Sequence, residues 1–220
     1  DLVARREVAR AERLHTALVA KEQAFWPVVK TGRTHLQDAT PIRLGQEFTA
    51  YGRTVARHRE KLTHAADWLR DMGIGGTAVG TGLNAEVQYP ELMVKYLEEV
   101  SHLDLRVGED RIQLMQSMGD IATFTGAFRA YVVDLAKIAN DIRLLASGPR
   151  TGLAEILLPA VQPGSSIMPG KVNPSIAEMV NQVCFQALGL DTTVALAAEA
   201  GQLELNVMMP VITHNMVFGL

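Results

Sequence analysis

The amino-acid sequence predicts an all-α fold, an elongated bundle of long, nearly antiparallel helices. Three observations carry this. Apolar residues recur at three- and four-residue steps over most of the 220 residues. Alternation of the strand kind is almost absent. Only three stretches break the helical pattern, Lys30–Pro41, Gly73–Asn84 and Ser147–Pro174.

The first rod follows Ala4, Val8, Ala11, Leu14, Leu18 and Phe25 and ends near Pro27–Gly32. Arg5, Arg6, Arg10 and Arg13 fall mostly off that stripe and read as a solvated face. A second helix is predicted from Pro41 to Met72, closed by Gly73. The third runs from Ile121 through Phe124, Phe128, Tyr131, Leu135, Ile138 and Ile142 to Leu145, with Val132, Val133, Ala136 and Ala139 as an apolar flank. At ~1.5 Å per residue it spans roughly 36 Å. Its two apolar sides predict cover from more than one direction. Ile176, Val180, Val183, Ala187, Leu190, Val194 and Ala197 mark the fourth rod. Pro210, inside an apolar helical run, predicts a kink. Apolar surface on two sides of several rods predicts a homo-oligomer.

Composition narrows the class. Lys+Arg number 21 against 24 Asp+Glu, a formal charge of −3, which offers no basic surface to nucleic acid. Hydrophobic residues make up 48%, enough for a substantial core in a single domain. No uncharged apolar run nears the ~20 residues of a membrane span. The opening Asp1–Arg13 is too charged for a signal peptide. The one cysteine, Cys184, excludes an internal disulfide, suits a reducing compartment and reads as inert helix packing. A soluble, cytoplasmic chain is expected. Both ends read as helix interior, which predicts a piece of a longer polypeptide.

The chemistry-bearing residues concentrate in the interruptions. Pro163–Pro174 reads P-G-S-S-I-M-P-G-K-V-N-P. Glycines allow unusual backbone angles and expose amides, while prolines limit the loop to few states. Ser165, Ser166, Lys171 and Asn173 then offer hydroxyls, a point charge and a directional donor, a set suited to a carboxylate-rich ligand whose charge grows in a transition state. Composition alone equally allows a plain interhelical connection capped by Ser165 or Ser166. Gly73–Gly82 lacks the Gly-Lys-Ser/Thr ending of a phosphate loop. His15, His58, His64, His102 and His214 have no neighbours of catalytic type in sequence, and no cluster has metal-ligand spacing.

The loop Gly164–Asn173 resembles the signature G-S-S-x-M-P-x-K-x-N of the aspartase/fumarase superfamily. Lys30–Gln46 is similar to the second conserved region of class II fumarases and bacterial aspartases, and Gly75–Asn84 to the third. The likeness covers essentially the whole chain. It implies the long-helix central domain (1–220) of a tetramer-forming lyase, without the family's smaller N-terminal and C-terminal domains. Ser165 matches the base that removes a proton next to a carboxylate. Lys171 and Asn173 match residues that hold that carboxylate as it becomes an enediolate, and Ser166 helps shape the donor set. Thr34 and His35 match a pair that binds the other carboxylate, and Glu178 matches the acid that orients the histidine. No cofactor and no metal are implied. The implied ligand is a small dicarboxylate, in sites that the family builds from three subunits.

Within the superfamily, Asn181–Val211 looks more like aspartases than fumarases, with Leu190 and Met209 departing from the common pattern. The resemblance therefore implies L-aspartate to fumarate plus ammonia, with class II fumarate hydratase as the alternative. A non-catalytic scaffold, as in crystallins recruited from this superfamily, is the reading from another class. In an up-down bundle, Thr34–His35 and Ser165 can share one end.

Overall fold

Residues 2–219 are described by a computed structural model. Four long helices, α1 (Leu2–Phe25), α2 (Leu44–Asp67), α5 (Gly119–Leu145) and α6 (Ser175–Glu199), form the bundle. Shorter helices α3 (Tyr89–Ser101) and α4 (Arg111–Gln116) lie between α2 and α5, and α7 (Met209–Gly219) closes against α6. The long helices stack in the order α1, α2, α5, α6.

Apolar stripes place them so. Along α2, Leu44, Phe48, Tyr51, Val55, Leu62 and Ala65 are buried, and they meet Ala4, Ala11 and Leu18 of α1 and Phe124, Tyr131 and Ile138 of α5 in one core. Of the flank predicted on α5, Val132, Ala136 and Ala139 are covered, while Val133 is exposed. Val132 packs with Cys184 and Ala187 of α6, and the single thiol is buried there, its pKa raised by burial. A third cluster, Met118, Val194, Ala197 and Ile212, joins α6 to α7.

Polar pairs fix direction. Tyr51 donates to Asp141 at 2.9 Å, and His58 Nε2 lies 2.6 Å from Asp134, so α2 and α5 run antiparallel. Asn181 donating to Ala136 O and Asp191 pairing with Arg129 make α5 and α6 antiparallel as well. The end of α1, the start of α2, the end of α5 and the start of α6 therefore share one pole.

Three expectations need correction. Lys30–Pro41 is not a plain loop: β1 (Val29–Thr34) and β2 (Gln37–Arg43) pair as an antiparallel hairpin. Thr31 and Val29 favour extended backbone, and His35 and Leu36 turn the chain at φ 55° and 63°. Pro41, set opposite Thr31, lies in β2, so α2 begins later, at Leu44, where Gln46 Oε1 accepts from the Arg43 N–H at 2.9 Å. That helix also stops at Asp67, before a 3₁₀ turn (Trp68–Arg70) and β3 (Asp71–Met72), which pairs in parallel with β4 (Arg106–Val107). Pro210 does not kink a helix. It sits in the first turn of α7, where a missing N–H leaves no carbonyl unpaired.

Candidate functional site

The shared pole gathers the polar interruptions. The hairpin tip carries Thr34 and His35, both exposed. The loop from Ala146 to Pro174 leaves α5 and returns to α6, carrying Ser165, Ser166, Lys171 and Asn173. Ser165 and Asn173 are half-buried, while Ser166 and Lys171 are exposed.

The loop closes on itself through bare backbone. Gly164 has φ +82°, and a β-carbon there would stand 2.5 Å from the Lys171 carbonyl oxygen. Lys171 N–H donates to Met168 O at 3.1 Å in the turn between them. Gln162 reaches Ser175 at 2.7 Å, tying the loop to the first residue of α6. Lys171, Asn173 and Arg150 border a cavity of about 530 Å³, so two of the expected carboxylate-holding side chains face the same space. Ser165 and Ser166 are not on its wall.

A charged cluster binds this loop to the hairpin. Glu155 pairs with Arg33 at 2.6 Å and with Lys30 at 2.6 Å, and Lys30 also meets Glu47 at 2.7 Å. The Lys30 side chain is only 8% exposed. Burial raises the Glu155 carboxyl, but hydrogen bonds and charge from Lys30 and Arg33 outweigh burial and hold it below the usual carboxylate range. Beside the cluster a second cavity of about 320 Å³ is bordered by Lys30, Arg33, Tyr51 and Asp141. Burial, then the hydrogen bond to Asp141, pushes the Tyr51 phenol strongly upward.

Among the described residues, no hydrogen bond or ion pair joins Thr34 or His35 to Ser165, Lys171, Asn173 or Glu178. Glu178, in the first turn of α6, stands 3.8 Å from Arg143. No group of three His, Cys, Asp or Glu residues gathers as a metal site among the described residues, and no helix is long and apolar enough to cross a membrane.

Sequence reasoning missed the Lys30–Glu155–Arg33 cluster and the His58–Asp134 pair. His58 did carry a signal, since it occupies a position of the α2 stripe (Tyr51, Val55, His58, Leu62), where a polar residue must find a buried partner. Glu155, in a segment without periodicity, carried none.

Known proteins share this arrangement. A family profile described as "Lyase" matches residues 2–189. The aspartate ammonia-lyase of Bacillus subtilis is 50% identical over 206 residues, 94% of this chain and 43% of that protein. That of Escherichia coli is 49% identical over 196 residues, 89% of this chain and 41% of that protein. A crystal structure of fumarate lyase:delta crystallin from Brucella melitensis bound to cobalt superimposes with a TM-score of 0.94 at 48% identity, covering 99% of this chain and 48% of that one. A class II fumarase from Schistosoma mansoni gives 0.90 at 34% identity, covering 96% and 47%. The chain thus spans less than half the length of the curated relatives it matches.

Proposed function

Because this chain belongs to the aspartase/fumarase superfamily of lyases, we propose that the full-length protein releases fumarate and ammonia from L-aspartate. Identity at about half of all positions to aspartate ammonia-lyases of several bacteria carries the reading.

In this reading the Ser165 oxygen, as alkoxide, takes a proton from the carbon next to one carboxylate. A serine becomes a base only when amides stabilise its anion and water is excluded, and the glycine-rich loop supplies such amides. The electron pair moves into the carboxylate, which becomes an enediolate held by Lys171 and Asn173, with Ser166 shaping the donor set. It then returns to form the carbon–carbon double bond, the carbon–nitrogen bond breaks, and the amino group leaves as ammonia. Thr34 and His35 hold the second carboxylate, and Glu178 orients His35.

Sites shared between subunits of a homotetramer belong to this reading. One stripe of α6 supports such assembly: Ile176, Met179 and Val183, spaced to share a helix face, are 56%, 50% and 57% exposed. Contiguous apolar surface of this kind marks a protein interface. The chain then acts as the central helical domain, and flanking segments of the full-length protein complete the site. The 220-residue chain alone is expected to be inactive. The buried, unpaired Cys184 agrees with a cytoplasmic setting.

Fumarate absorbs in the ultraviolet, so parallel assays of the full-length protein with L-aspartate and L-malate test the reading. Fumarate from aspartate alone is the expected result. Fumarate from malate alone makes the protein a hydratase, the reading that the Schistosoma mansoni likeness favours. No product from either turns the assignment toward a larger amino-substituted succinate or a scaffold.

A further inference from the structure

We infer that Glu155 is a positioning residue whose single carboxylate sets the proton-abstracting loop and the carboxylate-binding hairpin in one fixed relation. The inference rests on the functional reading above and deepens it.

The backbone of Glu155 is fastened to the end of α5. Its N–H donates to Leu145 O at 2.9 Å, Ala154 N–H donates to Ser147 O at 2.8 Å, and Leu153 N–H donates to Ser147 Oγ at 3.1 Å. From that anchor each carboxylate oxygen takes one cation of β1. Oε1 meets Arg33 Nη1 and Oε2 meets Lys30 Nζ, both at 2.6 Å. Lys30 also binds Glu47 in the first turn of α2, so α2, α5 and β1 converge on one cluster.

The hairpin is shaped for this grip. Residues three apart on a flat strand point to opposite faces. Here two residues of β2, Ala39 and Thr40, stand opposite Gly32 alone, a bulge between the Thr31 and Arg33 pairings. Bulges increase local twist, which lets Lys30 and Arg33 reach the same carboxylate. Gly32 is required at the contact, because a β-carbon would lie 2.9 Å from Thr40 O. Arg33 immediately precedes Thr34 and His35, so an arginine held at both ends fixes the hairpin tip. Downstream, Glu155 is the last residue before Ser165 held by an ion pair: past Ile156, whose N–H donates to Leu145 O at 3.4 Å, the next described bonds in the loop are those at Gln162 and Lys171.

An ion pair with both partners largely shielded from water loses geometry as well as charge when one partner is neutralised. A misplacement near 1 Å costs an enzyme up to about 100-fold in rate. The test uses the full-length protein with Glu155→Gln and Glu155→Asp. Hydrogen–deuterium exchange is read at residues 33–38 and 156–173. KM, kcat and the inhibition constant of succinate, a dicarboxylate that cannot eliminate, are read alongside.

For Glu155→Gln we expect exchange at both segments to rise together while α2, α5 and α6 keep wild-type protection. KM and the succinate constant should rise about tenfold, and Glu155→Asp should recover much of the loss. An inhibition constant does not depend on how much protein is folded. A lower melting temperature with KM and the succinate constant unchanged would therefore make Glu155 a stability residue only and overturn the inference. So would wild-type exchange at either segment. Should the wild-type protein act on neither aspartate nor malate, the functional reading fails, and exchange alone still decides the coupling.

Discussion

Gly164 and Lys171 touch through backbone, with the α-carbon of one seated against the carbonyl of the other, so the loop segment holding Ser165 and Ser166 is pinched shut at its neck. No residue with a side chain fits there, for reasons of both space and backbone angle. Gly164→Ala must open the neck or strain it, at about 1–3 kcal/mol. Turnover of the full-length protein is expected to fall about 10- to 100-fold. Its melting temperature should fall by no more than about 2–4 °C per kcal/mol of that strain. Fumarate release and a thermal melt measured on the same sample check both halves.

Ser165→Ala removes the proposed base and leaves the loop's shape in place. A positioned base contributes about 10²- to 10⁴-fold, so fumarate formation should drop by that order while succinate still binds. Wild-type turnover in this variant would take Ser165 out of the chemistry.

Acid should loosen the pole of the bundle first. The Glu155 carboxyl titrates below its unfolded value because Lys30 and Arg33 outweigh burial. A depressed acid contributes stability that is present above the unfolded pKa and lost as pH falls through the folded one. Urea midpoints recorded from pH 7 to pH 3 should therefore fall on the acid side of the ordinary carboxylate range. The fall should be shallower in Glu155→Gln, which has no proton to gain there. Parallel curves for the two proteins would contradict this.

Asn206 is fully buried and serves four groups. Its Nδ2 donates to Ala197 O and Ala198 O at 3.1 Å, its Oδ1 accepts from Met208 N–H at 2.8 Å, and its own N–H donates to Met115 O. Asn206→Ala strands the carbonyls at the end of α6 and is expected to cost about 1–3 kcal/mol, read as a lower urea midpoint with an unchanged slope.

The exposed apolar stripe of α6 should separate subunits when charged. Met179→Glu with Val183→Glu touches no buried core cluster of the chain, so the fold should persist. In sedimentation, the full-length wild-type protein is expected as a tetramer and the double variant as a smaller species. A variant that remains tetrameric would move the interface elsewhere.

Much of this was legible in sequence because helices advertise themselves. The stripe from Ile121 to Leu145 gave α5 to within two residues of its observed start, Gly119, and at its observed end. The hairpin was not legible. β1 and β2 are short, carry Gly32 and Pro41, and have partly or fully exposed side chains, so no apolar alternation could form. The loop's chemistry was legible from residue types at fixed spacing. Its attachment was not, because Glu155, Lys30 and Arg33 are far apart in sequence and their pairing exists only after the rods have stacked.

One consequence of the bundle concerns sliding. Helices lined with Leu, Ile and Ala can slip past each other by a heptad, about 10 Å, with little change in apolar contact. Between α2 and α5 the rungs Tyr51–Asp141 and His58–Asp134 are one heptad apart on both helices. A slip one way would set His58 against Asp141 but push Tyr51 past the end of α5, opposite Gly148. A slip the other way would set Tyr51 against Asp134 and leave His58 facing Ala127. Either leaves a buried polar group alone, costing about 1–3 kcal/mol. Each slip re-forms one pair and breaks the other, so only the native alignment satisfies both rungs and keeps the hairpin and the loop level at the same pole.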